Sequence, residues 1–334
     1  LRILPKGKVK VCMLNEPLGE ILTRNGFCSS DDLQSALERQ AVTGEKLGSI
    51  LVQAGVLDQD QLIQGLLEQF ELNKILEQEL QKREEKIRSL AMLEKEIDLA
   101  RRVQQNLLPR KMPHVPGLDI YGMCRMSASV GGDLLDIIQE ESGGHCMLVA
   151  DICGHGFASS LVMASFRSMA KMACMDSNAS MSRVAGKLNN LLCSDFQSSG
   201  LFITGLFIRH EPGTHNIELV NAGHITPLSN NPKHACRLAV SNIPLGIYNH
   251  VTFQSVKLRL EPGEHLLLYS DGLLEAPMVS GRKLSQEFLR SLLGQQQFQS
   301  SEEVVNKIMQ EFDESAVNQS DDITVLSIWR HCEN

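Results

Sequence analysis

The spacing of apolar residues near the N-terminus predicts two copies of one helical unit. Residues 17–40 and 46–69 have nine identical positions when one segment is shifted by 29 residues along the other. Such self-similarity indicates a duplicated supersecondary unit. The identical pairs are Leu18/Leu47, Gly19/Gly48, Ile21/Ile50, Leu22/Leu51, Gly26/Gly55, Asp31/Asp60, Leu33/Leu62, Leu37/Leu66 and Gln40/Gln69.

Each copy is predicted to form two short helices. Gly26 and Gly55 follow the first apolar stretch of each copy, where a glycine can take the left-handed conformation that ends a helix. Ser29 or Ser30 in the first copy and Asp58 in the second then provide N-caps for the second helices. We expect the two copies to bury their leucines against each other as a small all-α domain over residues 1–72.

A charged connector follows over residues 73–108. It contains no glycine or proline and is rich in good helix formers, so it predicts one long helix. Two interpretations stay open: a parallel two-stranded coiled coil that makes the protein a homodimer, or a single helix packed on its own domain. The charged opposite face favours the homodimer. The apolar seam consists of Leu76, Leu80, Ile87, Leu90, Leu93, Ile97, Ala100, Val103 and Leu107.

The pattern changes after residue 117 to short apolar runs separated by turns, within a domain expected over residues 109–334. Helical patterns are predicted at 157–174, 180–196, 284–294 and 301–315. Two sheets packed together and covered by these helices would give an α+β fold, a four-layer α/β/β/α sandwich. Hairpin turns are expected at 211–213 and 261–263, where proline precedes glycine. The predicted strands are 118–125, 134–139, 146–152, 202–209, 217–222, 256–260, 265–270 and 323–329.

Bulk composition excludes several classes of protein. The 334 residues carry a formal net charge of −8 and no long basic run, so nucleic acid is not an expected partner. No apolar run reaches the roughly 18–20 residues that span a bilayer. The nine cysteines are scattered, with no Cys-x-x-Cys pair, as is typical of a reduced cytoplasmic protein.

Six aspartates lie at the ends of predicted strands. Buried carboxylates repel one another unless a cation neutralises them. An oxygen-only ligand set without a His/Cys cluster favours Mg²⁺ or Mn²⁺, and two such ions can activate a water against a phosphate ester. The candidate residues are Asp133, Asp136, Asp151, Asp271, Asp321 and Asp322.

The motifs around these aspartates resemble the PPM-type phosphatases of the SpoIIE/RsbU branch over roughly residues 97–330. The resemblance implies a Mn²⁺- or Mg²⁺-dependent protein serine/threonine phosphatase with two metal ions. It also implies a phosphorylated STAS-domain anti-sigma-factor antagonist as substrate, in a bacterial partner-switching pathway. The motifs are Ala100-Arg101-x-x-Gln104-x-x-Leu107-Leu108-Pro109, Val130-Gly131-Gly132-Asp133-x-x-Asp136, Asp151-x-x-Gly154-His155-Gly156, Asn221-Ala222-Gly223-His224, Pro244-Leu245-Gly246, Tyr269-Ser270-Asp271-Gly272 and Asp321-Asp322-Ile323-Thr324.

Roles follow from the resemblance, position by position. Asp151 would bridge both metal ions and act as a catalytic residue. Asp271 and Asp321 would complete one metal site, while Asp133 and the carbonyl oxygen of Ile152 would serve the other.

Four further positions are considered for other roles or for more than one role. Asp136 and Asp322 are further candidate metal ligands. The alternative for Asp322 is that it fixes the Asp321 loop. His155 is either a proton donor to the leaving serine oxygen or a turn residue, and His224 is expected to hold a loop by hydrogen bonds. Ser129 stands where eukaryotic relatives have a phosphate-clamping arginine, so metal and water are expected to hold the phosphate.

The N-terminal repeat resembles the GspE-N, or MshEN-like, domain of type II secretion ATPases. Some members bind cyclic di-GMP through motifs that begin with Arg-Leu-Gly. Here the motifs begin with Pro17-Leu18-Gly19 and Lys46-Leu47-Gly48, and neither proline nor lysine can replace the arginine fork. A helical interaction or sensory module is therefore favoured over a cyclic di-GMP sensor that gates the phosphatase. A non-catalytic signalling scaffold is the alternative for the whole chain.

Overall fold

The protein is described from a computed structural model, for residues 16–154, 156–196, 200–277, 284–294 and 298–331. The chain divides into two compact units, one ending at Lys95 and the other beginning at Glu96. This division falls inside the connector of residues 73–108.

The first unit is helical and repeats its local structure. Its helices are α1 (Leu18–Arg24), α2 (Ser30–Thr43), α3 (Leu47–Gln53) and α4 (Gln59–Leu107), the last of which continues into the second unit. The predicted helix pairs are confirmed, except that the second helix of the second copy is not short, because it continues as α4. Gly26 and Gly55 have φ values of 74° and 72°, and Ser29 and Asp58 accept hydrogen bonds from backbone N–H groups three residues later.

The repeated glycines of this unit are explained by packing. A Cβ atom at Gly19 would lie 2.5 Å from Cδ1 of Leu33, and one at Gly48 would lie 2.6 Å from Cδ1 of Leu62. The missing side chain therefore lets the second helix of each copy approach the first. Around these contacts the unit buries Leu22, Cys28, Ala36, Ile50, Leu51 and Leu57.

Helix α4 is continuous over 49 residues, as its composition predicts. Apolar seam residues on it, including Leu80, Ile87 and Leu93, are more than half exposed. Pairing of two copies through this seam stays a prediction. No helix in the described ranges is both long and apolar enough to cross a membrane.

The second unit contains two antiparallel sheets, which confirms the predicted α+β class. The four-stranded sheet has the order β1-β9-β8-β6 and the five-stranded sheet the order β2-β3-β4-β5-β7. The strands are β1 (Asp119–Arg125), β2 (Leu134–Gln139), β3 (His145–Ile152), β4 (Ile203–His210), β5 (Asn216–Ala222), β6 (Leu228–Ser229), β7 (Val256–Arg259), β8 (His265–Tyr269) and β9 (Ile323–Trp329).

Three apolar clusters define four layers. One cluster lies between the sheets and includes Leu135, Val149 and Leu268. A second cluster lies between the five-stranded sheet and one pair of helices, and a third lies between the four-stranded sheet and a second pair of helices. The helices are α5 (Phe157–Cys174) and α6 (Met181–Phe196) on the first side, and α9 (Gln286–Gly294) and α10 (Ser301–Ser315) on the second; the short α7 (Ala235–Leu238) and α8 (Gly272–Glu275) lie in connections.

One of the two predicted hairpins is wrong. Strands β4 and β5 pair directly across the turn at 211–213, as expected. Strands β7 and β8 do not pair with each other, because β7 joins β5 in one sheet while β8 joins β6 and β9 in the other. The turn at 261–263 therefore carries the chain from one sheet to the other.

Candidate metal centre

A cavity of about 350 Å³ brings together carboxylates from both sheets. Asp151 is the penultimate residue of β3, Asp271 follows β8, and Asp321 precedes β9. The first belongs to the five-stranded sheet and the other two to connections of the four-stranded sheet. The lining residues are Asp151, Cys153, Gly154, Phe202, Thr204, Gly223, His224, Ile225, Asp271 and Asp321.

The electrostatics of this cavity are those of a cation site. Burial raises the pKa of Asp151 to about 7, and the nearby charges of Asp271, Asp321 and Asp322 add to the rise. None of the described lining residues is a lysine or an arginine. The oxygen donors of these carboxylates are of the type that a divalent cation prefers.

Asp133 and Ile152 lie together beside this cavity. A Cβ atom at Gly132 would lie 2.9 Å from the carbonyl oxygen of Ile152, so the glycine keeps that oxygen uncovered. Oδ2 of Asp133 accepts a hydrogen bond of 2.7 Å from the Thr324 hydroxyl. Burial, followed by the charge of Asp151, raises the pKa of Asp133 well above its ordinary value.

Asp322, a candidate metal ligand from the sequence, is not among the residues that line the cavity. Its carboxylate accepts backbone N–H hydrogen bonds from Ser127 at 2.7 Å and from Gly132 at 2.8 Å, together with the Ser127 hydroxyl at 3.0 Å. These donors occupy both oxygens. Asp322 therefore fixes the loop over residues 127–133, which carries Asp133.

Asp136 is also not brought to the cavity. It lies in β2, where its Oδ2 forms an ion pair of 2.9 Å with Nε of Arg167 on α5. Burial raises the pKa of Asp136, although Arg167 opposes the rise. This carboxylate already has a cationic partner, so the structure gives it the role of joining a sheet to a helix.

Gln104 is a structural residue that the sequence motif contained without a stated role. This buried side chain in the last turn of α4 donates from Nε2 to the carbonyl oxygen of Gly131 at 2.7 Å. Its Oε1 accepts from the Gly131 N–H at 3.1 Å. Both backbone groups of one residue in the loop before Asp133 are thus held by the end of the connector.

The described side chains do not form a ready-made coordination group. Within the described ranges, no three Asp, Glu, His or Cys side chains are arranged to hold a metal ion as they stand. What the fold supplies is one cavity lined by three carboxylates from different elements. His155, the predicted proton donor, lies outside the described residues.

Comparisons with known proteins agree with the fold. Residues 141–331 match the family model described as "Stage II sporulation protein E (SpoIIE)". The chain is 28% identical over 222 residues to the phosphoserine phosphatase RsbU of Bacillus subtilis, covering 65% of this chain and 64% of that protein. It is 25% identical over 268 residues to protein IcfG of Synechocystis, covering 71% of this chain and 42% of IcfG.

A solved structure shows the same fold at low identity. The SiaA-PP2C domain of Pseudomonas aeruginosa superimposes with a TM-score of 0.62 at 18% identity, over 72% of this chain and 98% of that domain. The chain spans less than two thirds of the length of each of these two curated relatives, at 42% of IcfG and 64% of RsbU.

Proposed function

Since the chain belongs to the stage II sporulation protein E (SpoIIE) family, we propose that it is a metal-dependent protein phosphatase that hydrolyses phosphoserine or phosphothreonine. One observation carries the proposal. Asp151, Asp271 and Asp321 come from separate elements of two sheets and line one cavity.

The proposed ligand set is smaller than the one predicted from sequence. Asp151 would serve both of two Mn²⁺ or Mg²⁺ ions, with Asp271 and Asp321 at one and Asp133 and the Ile152 carbonyl oxygen at the other. Asp136 and Asp322 are left out, because an arginine and backbone N–H groups already occupy their oxygens. Such ions lower the pKa of bound water and neutralise charge on a phosphoryl group.

Two further residues are proposed to meet the substrate. Phe202 lines the cavity beside Cys153 and is partly exposed, which suits the protein surface that carries the phosphorylated side chain. His155 stays the predicted donor of a proton to the leaving serine or threonine oxygen. Its residue type fits that transfer near neutral pH.

The proposed substrate is a phosphorylated STAS-domain anti-sigma-factor antagonist in the cytoplasm, in a partner-switching pathway. The proposal is supported by the family resemblance of residues 97–330 and by similarity to a named phosphoserine phosphatase.

Regulation by the N-terminal part of the chain is proposed through the connector. The Gln104 amide joins the last turn of α4 to Gly131, two residues before Asp133. A shift of that turn would therefore act on the loop that carries a proposed ligand. Homodimerisation through residues 73–108 is supported by the exposed apolar seam of α4.

Cyclic di-GMP binding by the repeat is a second proposal. It is supported only by the resemblance of the two motifs, of which one begins with Lys46. Titration of the full chain with cyclic di-GMP tests it, with Lys46→Ala as the variant expected to lose the nucleotide if binding occurs.

The enzymatic proposal is tested with phosphorylated STAS-domain proteins and the full chain, with and without Mn²⁺. We expect Mn²⁺-dependent phosphate release, which Asp271→Asn reduces by at least about a hundredfold because a direct ligand exceeds an outer-shell partner in effect. The exposed Asp195→Asn serves as the matched control. Silence of the wild type with Mn²⁺, combined with retained binding of a STAS protein, would support the scaffold alternative.

The regulatory proposal is tested with Gln104→Leu in the full chain. Loss of both hydrogen bonds to Gly131 is expected to reduce Mn²⁺-dependent activity about tenfold, in the range of outer-shell changes. Gln105→Leu changes an exposed neighbour and is expected to leave activity unchanged. Equal activity of the two variants would contradict a role for this contact.

A further inference from the structure

His224 connects the two sheets at the cavity. It lies between β5 and β6, where the chain leaves one sheet for the other, and its side chain is buried. Its Nδ1 lies 2.8 Å from the Thr204 hydroxyl oxygen, and its Nε2 lies 3.1 Å from the carbonyl oxygen of Tyr269. Thr204 belongs to β4 and Tyr269 ends β8.

The direction of both hydrogen bonds follows from the partners. A carbonyl oxygen can only accept, so Nε2 of His224 carries the proton and donates to Tyr269. Burial lowers the pKa of His224 to about 4, and the ring is therefore neutral near pH 7. Its Nδ1 then has a lone pair and accepts from the Thr204 hydroxyl group.

Each end of this bridge lies next to a carboxylate of the cavity. Thr204 is the β-ladder partner of Asp151, and Tyr269 precedes Asp271 by two residues. The imidazole thus links β4, which lies beside Asp151, to the end of β8, which is followed by Asp271.

The backbone of His224 is itself held in place. The Asn221 side chain accepts from the His224 N–H at 2.8 Å and donates to its carbonyl oxygen at 3.1 Å. Asn221 is buried in β5. The ring therefore projects from a fixed point, and its two nitrogens contact β4 on one side and the end of β8 on the other.

We propose that His224 is a positioning residue that sets the separation of Asp151 and Asp271 through the Thr204–His224–Tyr269 bridge, and thereby the affinity of the cavity for divalent metal. This inference rests on the proposed function. It assigns His224 neither a ligand role nor a proton-transfer role.

The test measures Mn²⁺ affinity of the full chain by isothermal titration calorimetry, beside phosphatase activity and circular dichroism of the metal-free form. His224→Gln places an amide near the position of Nε2, and His224→Asn places one near Nδ1, so each variant keeps one end of the bridge. Thr204→Val removes the hydroxyl while keeping its shape, and Thr204→Ser restores it. His114→Gln changes an exposed histidine as the control.

We expect His224→Gln, His224→Asn and Thr204→Val each to weaken Mn²⁺ binding about tenfold, as outer-shell substitutions do, without loss of secondary structure. Thr204→Ser and His114→Gln should bind Mn²⁺ as the wild type does. If the His224 variants fail to fold, the Mn²⁺ affinities of Thr204→Val and Thr204→Ser are compared instead. A weaker affinity of Thr204→Val supports the inference, and equal affinities overturn it.

Wild-type Mn²⁺ affinity in both His224 variants would overturn the inference and leave the proposed function intact. Lost activity with wild-type affinity would also overturn it, because the ring would then act on the substrate. A wild-type chain that binds no Mn²⁺ would overturn both the inference and the proposed function.

Discussion

The helical unit before Glu96 and the sandwich unit after it bury different kinds of side chain. The helical unit has an apolar interior, and none of the buried polar or charged residues in the described ranges falls before Gln104. The sandwich unit buries aspartates, histidines, arginines and asparagines, most of them with hydrogen-bond partners. In the helical unit, polar side chains such as Ser29 and Asp58 cap helices. In the sandwich unit, many polar side chains are buried in the interior.

This difference indicates where the chemistry is. A buried charge is unfavourable unless a partner compensates it, and perturbed pKa values concentrate at functional sites. Asp151 has a raised pKa because burial and like charges disfavour its ionised form. Asp32 of the helical unit has a lowered pKa, because the Ser29 side chain and backbone donate hydrogen bonds to it.

The raised pKa of Asp151 gives the largest predicted effect on stability. The folded pKa of Asp151 lies above its ordinary 3.8, so its ionised form lowers the stability of the metal-free protein above pH 7, and this penalty fades as pH falls towards 4. Asp151→Asn should therefore raise the free energy of unfolding at pH 8 by on the order of 3 kcal/mol. Urea unfolding in EDTA at pH 8 and pH 5 measures the gain, which should be smaller at pH 5.

Asp32→Asn should act in the reverse sense in the same experiment. Its ionised carboxylate stabilises the fold above its lowered pKa, and this contribution is lost as pH falls through that value. The exposed Asp195→Asn is the neutral control. A wild type as stable as Asp151→Asn at pH 8 would remove the electrostatic distinction between the units.

Glycine substitutions test the same comparison through packing. A Cβ atom at Gly272 would clash with the backbone carbonyl oxygen of Asp322, whereas one at Gly48 would meet the end of the Leu62 side chain. Gly272→Ala should cost about 3 kcal/mol and weaken Mn²⁺ binding, since Asp271 is adjacent. Gly48→Ala should cost less than about 1 kcal/mol, because Leu62 can rotate and alanine favours the helix. Equal thermal melting of the two variants would contradict this.

Asp136→Asn separates a structural carboxylate from the metal centre. It leaves the partly buried Arg167 without its ionic partner. Burial, which raises the pKa of Asp136, offsets part of this loss, so the expected cost is about 1 kcal/mol. Mn²⁺ affinity, measured by calorimetry, should stay unchanged. A large drop in affinity would return Asp136 to the set of metal ligands.

The smallest expected effects concern the caps of the repeat. Ser29→Ala and Asp58→Ala each remove a side chain that accepts a backbone N–H at the start of a helix. Each should destabilise the helical unit by about 1 kcal/mol. Because the two copies are equivalent, thermal denaturation should show similar losses, and a strongly unequal pair would show that the copies differ in their contribution.

Much of the fold could be predicted because burial imposes patterns on the sequence. The long strands and helices of the sandwich were predicted within one or two residues, and the helix–glycine–helix copies were predicted from their repeat. Strand β6 was missed because Leu228–Ser229 is too short to show a period. The 261–263 turn was misassigned because turn residues indicate a reversal of the chain and not which sheet the next strand joins.

The candidate site was predictable in position and less so in detail. Strand ends correctly indicated Asp151, Asp271 and Asp321 as residues of one cavity. The partners of Asp136 and Asp322 could not be predicted, because Arg167 and the Ser127 N–H group reach them only through the tertiary fold. A carboxylate that binds a cation and one that binds backbone N–H groups look alike in sequence.

The way in which Asp322 holds its loop affects how future mutants should be interpreted. Its oxygens accept from N–H groups, so an asparagine there would turn a donor towards donors and open the loop. An inactive Asp322→Asn protein would be easily mistaken for proof of metal ligation. Excess Mn²⁺ would not restore the activity of this variant, because the defect would lie in the loop over residues 127–133. Faster amide hydrogen exchange in that loop would identify the defect.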